Sequence, residues 1–296
     1  MKPPLFRYHA PTSVEAAVEL LALAGDGAAI LSGGQSLMPM LNLRLANPSD
    51  VIDLRAVPGL SEIAMDDQLN DRRVDVGAMV THHTAETDPL IAGHLPLAHR
   101  AAGLIGFRAI RNRGTVGGSI AHADPAAEWP AVLLALDGSV TLRCRSGVRR
   151  VASDEFFISL FTTARLPDEL ITGLSFAARF AEHWGFAEFQ RRTGDFAVVA
   201  AAVACQVSDS VVTEARVVLA GIGSTPIRCP DAEAALVGRL ITADLAASAA
   251  AAARDEVDPV GDAHGSADYR RRLVFTETQR AISEALSPRV GSLTHA

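Results

Sequence analysis

The residue types and spacings best suited to chemistry lie in two short segments, Ser32-Gly33-Gly34-Gln35-Ser36 and Thr115-Val116-Gly117-Gly118-Ser119. Each follows an apolar stretch and combines paired glycines with hydroxyl side chains and unobstructed backbone N–H groups. Such a loop wraps phosphate, because glycine admits close backbone approach and positive φ. Two of them suit a pyrophosphate held from both sides, and so a dinucleotide such as FAD. The second segment runs on into Ile120-Ala121-His122-Ala123-Asp124-Pro125. There His122 can donate to a cofactor, or simply be solvated. Asp124 and Glu128, four apart, share a face if the segment is helical. Carboxylates repel a pyrophosphate, so any role toward a cofactor is to accept from hydroxyls or neutral N–H groups; for Asp124 a plain helix cap is the competing reading. Arg111 and Arg113 either neutralise phosphate or sit exposed. Arg191-Arg192-Thr193-Gly194-Asp195-Phe196 gathers a basic pair, a turn and an aromatic, which either covers a flavin edge or starts a strand.

Other chemistries are excluded. Lys2 is the only lysine. A P-loop needs a lysine after its glycines and a Schiff-base enzyme needs a buried one, and a residue so near the terminus serves neither. Cys144, Cys205 and Cys229 form no C-x-x-C pair and match no zinc or iron–sulfur spacing, so they read as small buried apolar residues. His82-His83 reads as surface rather than ligand, with no third metal ligand nearby. Gly221-Ile222-Gly223 resembles a dinucleotide fingerprint but has Pro226 in place of the third glycine, and reads as a strand-end turn. The net charge of −7 argues against nucleic acid or an anionic membrane as partner. No apolar run reaches the roughly 20 residues of a membrane helix. Met1-Lys2-Pro3-Pro4 leads into no apolar core of a signal peptide, so a cytoplasmic location is expected.

Elements that position these segments follow from spacing. Ser13 to Ala24 has helical periodicity with a Ser cap and Gly25 as stop. Ala28 to Leu31 is a buried strand entering the first glycine segment, Leu37 to Leu45 is an apolar, helical stretch, and Val51 to Leu54 is the next strand. This order predicts a small parallel sheet. Strands are expected at 60–65 and 73–79 around a turn at Asp66-Asp67, and a helix through Glu86 capped by Thr81 or Thr84. Pro96 to Ile105 reads as helix. Asp124-Pro125 reads as a helix start, with Pro130 forcing an irregular turn or kink. Strands are expected at 139–144, 149–152 and 170–176. Beyond residue 178 a small sheet is backed by alanine-rich helices at 231–240 and 243–256 and an amphipathic one at 269–286. The run Val198 to Val207 is apolar throughout, so its helix or strand character stays open.

The quoted segments, taken with Pro39 and Arg44, Val51-Ile52-Asp53-Leu54, Ile110-Arg111-Asn112-Arg113-Gly114, Ala126-Ala127-Glu128, Arg228 and Tyr269-Arg270-Arg271, occur in an order covering nearly the whole chain. In that order they resemble the flavoprotein (medium) subunits of molybdenum hydroxylases, of the carbon monoxide dehydrogenase and xanthine dehydrogenase type. The resemblance implies an α+β chain. Residues 1–177 would form the FAD-binding fold also seen in vanillyl-alcohol oxidase (PCMH-type), as two α/β subdomains at about 1–55 and 56–177. Residues 178–287 would form a three-stranded antiparallel sheet with a helical bundle, and 288–296 a tail. FAD would be held non-covalently. Leu31, Ser32, Gly33, Gly34, Gln35, Ser36, Leu37 and Met38 would cradle its phosphates with Thr115, Val116, Gly117, Gly118 and Ser119. Ile105, His122, Asp124, Glu128 and Ile171 would line the remainder, with Arg191 and Phe196 at the ring; Phe196 lacks the hydroxyl of the tyrosine in some relatives.

Division of labour is also implied. A large partner subunit would hold the molybdenum cofactor and oxidise the substrate. A small partner would hold two [2Fe–2S] clusters. This chain would pass electrons from the clusters to a quinone, a nicotinamide, oxygen or a carrier, in a heterohexamer of two copies of each subunit, with no catalytic acid, base or nucleophile and no metal of its own. Two rival readings are a stand-alone flavin oxidase, for which His183 and Tyr269 are the C-terminal candidates, and a non-enzymatic assembly module.

Overall fold

The computed structural model describes residues 2–66 and 72–287. β1 (Arg7–His9), α1 (Val14–Ala24), β2 (Ala28–Leu31), α2 (Leu37–Asn42) and β3 (Asp50–Asp53) come first. Their strands make the expected parallel sheet in the order β1-β3-β2, with Ile30 opposite Ile52. Ser13 caps α1 by accepting from the Ala16 N–H at 3.1 Å. The buried stripe Ala17, Val18 and Leu21 then packs α1 on Ile52 and Leu54.

β4 (Ile63–Asp66) and β5 (Arg73–Gly77) open a second sheet. The expected turn between them lies partly outside the described residues, and the tail from residue 288 lies wholly outside them. A helical layer follows: α3 (His82–Thr87), α4 (Pro89–His94), α5 (Pro96–Ala102), α6 (Arg108–Arg111), α7 (Val116–His122) and α8 (Glu128–Ala135). The chain returns through β6 (Ser139–Cys144), β7 (Gly147–Ala152), α9 (Ser153–Phe156), the ribbon β8 (Phe157–Ser159) and β9 (Thr162–Thr163), and β10 (Leu170–Ala177). β4-β5-β10-β6-β7 is the order of this antiparallel sheet.

Two expectations fail here for local reasons. Asp124-Pro125 does not open a helix: Asp124 Oδ1 accepts from the Ala126 N–H (2.9 Å) in a tight turn, and α8 starts three residues beyond Pro125. Asp124 and Glu128 therefore do not share a helical face. Pro130 falls in the first turn of α8, where its missing N–H removes no helical bond, so no kink arises.

β11 (His183–Phe189), β12 (Val199–Ser208) and β13 (Val211–Ala220) form the antiparallel C-terminal sheet, with the two-residue β14 (Ile227–Arg228) on its edge. α10 (Pro230–Leu236), α11 (Leu245–Glu256) and α12 (Ala267–Leu286) back one face. β12 settles the open assignment at Val198 to Val207 as strand. Ala200, Ala202 and Ala204 face the same core as Trp129 and Phe176, while Val199, Ala201, Val203 and Cys205 face α10, α11 and α12. Both faces are buried, so side chains alternate in direction but not in polarity. A continuous core thus joins the C-terminal sheet to the preceding helices.

Candidate functional site

A cleft of about 550 Å³ opens between the parallel sheet, the second sheet and the tip of the β11–β12 hairpin. The volume is in the usual range for a ligand site. Ser32, Gly33, Gly34, Gln35, Ser36 and Leu37 line one side; Thr115, Gly117, Gly118 and Ser119 line the other; Ile105, His122, Asp124, Glu128, Ile171 and Phe196 complete it. Leu31 and Met38 face a second cavity, on which Ser32 to Gln35 also border. Val116 and Arg191 do not line the cleft. Val116 is fully buried with its N–H given to Val80 O (2.9 Å), and Arg191 is exposed.

The first glycine segment is a true loop between β2 and α2. Among the described residues no acceptor takes the N–H groups of Gly33, Gly34, Gln35 or Ser36. Gly34 holds φ +76°, a region that favours glycine. The second segment differs from expectation: it is the first turn of α7. Gly117 N–H donates to Ala78 O (3.0 Å), Gly118 N–H to the capping Thr115 Oγ1 (3.0 Å), and Ser119 N–H to Thr115 O (3.0 Å). Its glycines serve close approach, since a Cβ on Gly117 would stand 2.6 Å from Ala78.

The two segments meet. Ser32 Oγ and Thr115 Oγ1 are 2.6 Å apart and share a hydrogen bond. A Cβ on Gly33 would fall 2.1 Å from Arg113 O, so only glycine allows this backbone contact. Behind it, Gly114 lies against the His82 ring, and Gly114 O accepts from the His82 N–H (2.9 Å). His82 is buried, not at the surface as expected, and lines the cleft. Trp129 Nε1–H donates to His82 Nδ1 (3.0 Å). Burial, with the Arg111 charge adding, pushes His82 down to about 4, so its ring is neutral near neutral pH.

Arg111 is tied up rather than free. It forks onto Glu86 (2.8 and 3.2 Å) and donates to Ile105 O and Gly106 O, which fixes the Ile105 edge of the cleft. Arg165, which the sequence did not single out, also lines the cleft; its Nη1 donates to Leu166 O and Glu169 O. Burial pulls its basicity below the ordinary arginine value. Glu128 is buried, and burial with the Asp124 charge pushes its carboxyl up to about 7. The His122 ring lies 5.0 Å from that of Phe161. Phe196 is 58% exposed at the mouth. Gly194 and Asp195 line the cleft beside it. Their signal was present in the Arg-Arg-Thr-Gly-Asp-Phe run, whereas His82 and Arg165 carry none.

The oxidase candidates lie elsewhere: His183 Nδ1 bonds Ala285 O (3.1 Å), and Tyr269 packs edge-on against Phe189. Cys205 and Cys229 are buried thiols, as expected, and Cys144 is partly exposed. Gly221 follows the end of β13 as a turn. Among the described residues no group of His, Cys, Asp and Glu is placed to hold a metal, and no helix is long and apolar enough to cross a membrane.

An open-amide loop, a helix start apposed to it and a long cleft between two α/β layers define a dinucleotide-binding flavoprotein fold. Residues 4–176 match the family described as FAD binding domain in molybdopterin dehydrogenase, and 184–285 the CO dehydrogenase flavoprotein C-terminal domain. The chain belongs to the FAD-binding medium subunits of molybdenum hydroxylase-type dehydrogenases, oxidoreductase complexes of the carbon monoxide and xanthine dehydrogenase families. It is 42% identical over 288 residues (97% of this chain, 96% of the relative) to the 6-hydroxypseudooxynicotine dehydrogenase complex subunit alpha of Paenarthrobacter nicotinovorans. It is 41% identical to the nicotine 6-hydroxylase medium subunit of the same organism (96% and 99% covered). A solved carbon monoxide dehydrogenase from Hydrogenophaga pseudoflava superposes with a TM-score of 0.92 at 36% identity (96% and 98% covered). FAD fits the residues present: free loop amides, close glycine contacts and a cleft of suitable volume.

Proposed function

We propose that this chain is the FAD-carrying electron-transfer subunit of a three-subunit molybdenum hydroxylase. It takes electrons from [2Fe–2S] clusters on a small partner and passes them to an external acceptor. A large partner carries the molybdenum cofactor, oxidises the substrate and so determines which substrate is used. The observation that carries this reading is the run of unoccupied amides from Gly33 to Ser36 beside a long cleft. On this reading 1–177 binds FAD, 178–287 contributes the hairpin tip, and the protein works in the cytoplasm.

When bound, FAD supplies redox chemistry that takes electrons singly and hands them on in pairs. The chain's residues bind and orient. Gly33 to Ser36 would hold the phosphates through their free N–H groups, with the Ser32 and Ser119 hydroxyls alongside. Ile105 and Ile171 give apolar walls. Glu128, pushed up to about 7 by burial, carries less charge near neutral pH than an ordinary carboxylate beside an anionic ligand. Phe196 shields the mouth. No residue acts as nucleophile or proton-transfer catalyst toward substrate.

The test is the visible spectrum of the chain alone and of its native complex. FAD released by acid, with bands near ~375 and ~450 nm, supports the cleft assignment. Iron–sulfur absorption and molybdenum appearing only with the partners support the electron-transfer role. Flavin with direct substrate turnover by the lone chain would favour the oxidase, and no flavin in either sample the assembly module.

A further inference from the structure

The β11–β12 connection, residues 190–198, leaves the C-terminal sheet and brings Gly194, Asp195 and Phe196 to the cleft. A short chain of bonds holds this tip. Glu188 and Gln190 lie two apart, on one face of the strand as it ends. Gln190 Nε2–H donates to Glu188 Oε1 (2.6 Å), and the Gly194 N–H donates to Gln190 Oε1 (3.1 Å). Gly194 then rests against Gly106 and the Phe107 ring; a Cβ there would stand 3.2 Å from each. Glu188 Oε2 is buried and has no hydrogen-bond partner among the described residues. An ionised carboxylate buried in that way is far more costly than a neutral acid.

We propose that Glu188 is a positioning residue for the cofactor cleft: as a neutral acid it fixes Gln190, and Gln190 fixes the Gly194–Phe196 tip against the cleft. The inference rests on the reading that the cleft holds FAD. The charges around Glu188 favour the neutral form. Glu128 lies on α8, while Glu277 and Glu284 lie on α12. Glu277 is paired with Arg280 (3.1 Å), and Glu284 accepts from the Phe186 N–H. Arg100 on α5 is the opposing cation. Across β12, Glu188 faces Ala200, which carries no charge, and Arg191, Arg192 and Asp195 of the tip itself are exposed. Burial, reinforced by Glu128, opposed by Arg100 and reinforced again by Glu277, pushes Glu188 up to about 8. With the tip open to water, Glu188 returns toward the ordinary carboxyl range. Closure therefore weakens as pH rises from that range and levels off above about 8.

FAD affinity of the flavin-stripped full chain, read by flavin fluorescence from about pH 5.5 to about pH 8.5, tests this, with circular dichroism checking the fold; the wild-type protein should weaken by at least roughly tenfold across that range. Glu188→Gln keeps an acceptor for Gln190 and cannot ionise, so it should lose most of the wild-type slope, keeping only what ionisation of Glu128 in the cleft adds, and bind at the acid limit as the wild-type protein does. Gln190→Ala breaks the relay without changing charge, and should bind weakly at every pH with no more slope than Glu188→Gln. A wild-type slope surviving in Glu188→Gln, or no slope in the wild-type protein, overturns the relay. If Glu188→Gln fails to fold, Gln190→Ala decides alone: wild-type affinity and slope there overturn it. Failure of the wild-type chain to bind FAD at any pH would instead overturn the reading of the cleft.

Discussion

Ser32–Ser36 and Thr115–Ser119 face each other across one hydrogen bond, yet they use their glycines differently. In the first, the backbone N–H groups from Gly33 to Ser36 have no acceptor within the described residues, and the loop is open toward a ligand. In the second, the N–H groups of Val116, Gly117, Gly118 and Ser119 all serve the fold, through Val80, Ala78 and the Thr115 cap. One segment is a donor surface and the other is the buttress that holds it. A glycine pair is thus a statement about approach, and only the hydrogen-bond inventory says what approaches.

Substituting the glycines separates donor surface from buttress. Gly33→Ala places a Cβ 2.1 Å from Arg113 O and must part the two segments. FAD binding should weaken by at least roughly 100-fold, about 3 kcal/mol, in a fluorescence titration. Gly117→Ala, 2.6 Å from Ala78, should instead lower the stability of the flavin-free chain by about 1–3 kcal/mol in denaturant unfolding. Equal effects of the two variants on both measurements would erase the distinction.

Acid should loosen the buttress next. The neutral His82 is depressed to about 4 in the folded chain against an ordinary value near 6.5, so its stabilising contribution is present above the latter and is lost as pH falls toward the former. Unfolding free energy should fall by roughly 2 kcal/mol more in the wild-type chain than in His82→Gln over that interval. Identical pH profiles would show that the ring is not constrained as described.

The smallest expected effect comes from the shared hydroxyl. Thr115→Val removes both the α7 cap and the bond to Ser32 and should cost about 1–2 kcal/mol of stability, whereas Thr115→Ser should restore most of it. A Val variant as stable as wild type would mean that the cap carries no load.

The parallel sheet and the first loop were legible because Ser13, Gly25 and the apolar run at 28–31 each carry a local signal that the packing respects. The character of β12 was not legible, since burial on both faces removes the alternation that marks a strand. α8 was expected, but its start was misplaced: all of its residues are buried, so no polar stripe marks where it begins, and Asp124-Pro125 belongs to a turn. Within the site, the glycine segments and Glu128 stood out by residue type. His82 and Arg165 did not, because a buried histidine and a half-buried arginine differ from surface ones only in what the fold packs around them.

The hairpin tip at 190–198 rests on a strand sandwiched between α5 and α12, and α12 ends only at Leu286. A chain growing from its N-terminus therefore makes its open-amide loop early and finishes the cleft late. During that interval the faces of β11 and β12 that α12 covers lie bare. On the reading that this cleft holds FAD, flavin capture is expected only of the nearly complete chain. Any variant that slows docking of α12 should yield flavin-poor protein even where every residue lining the cleft is intact.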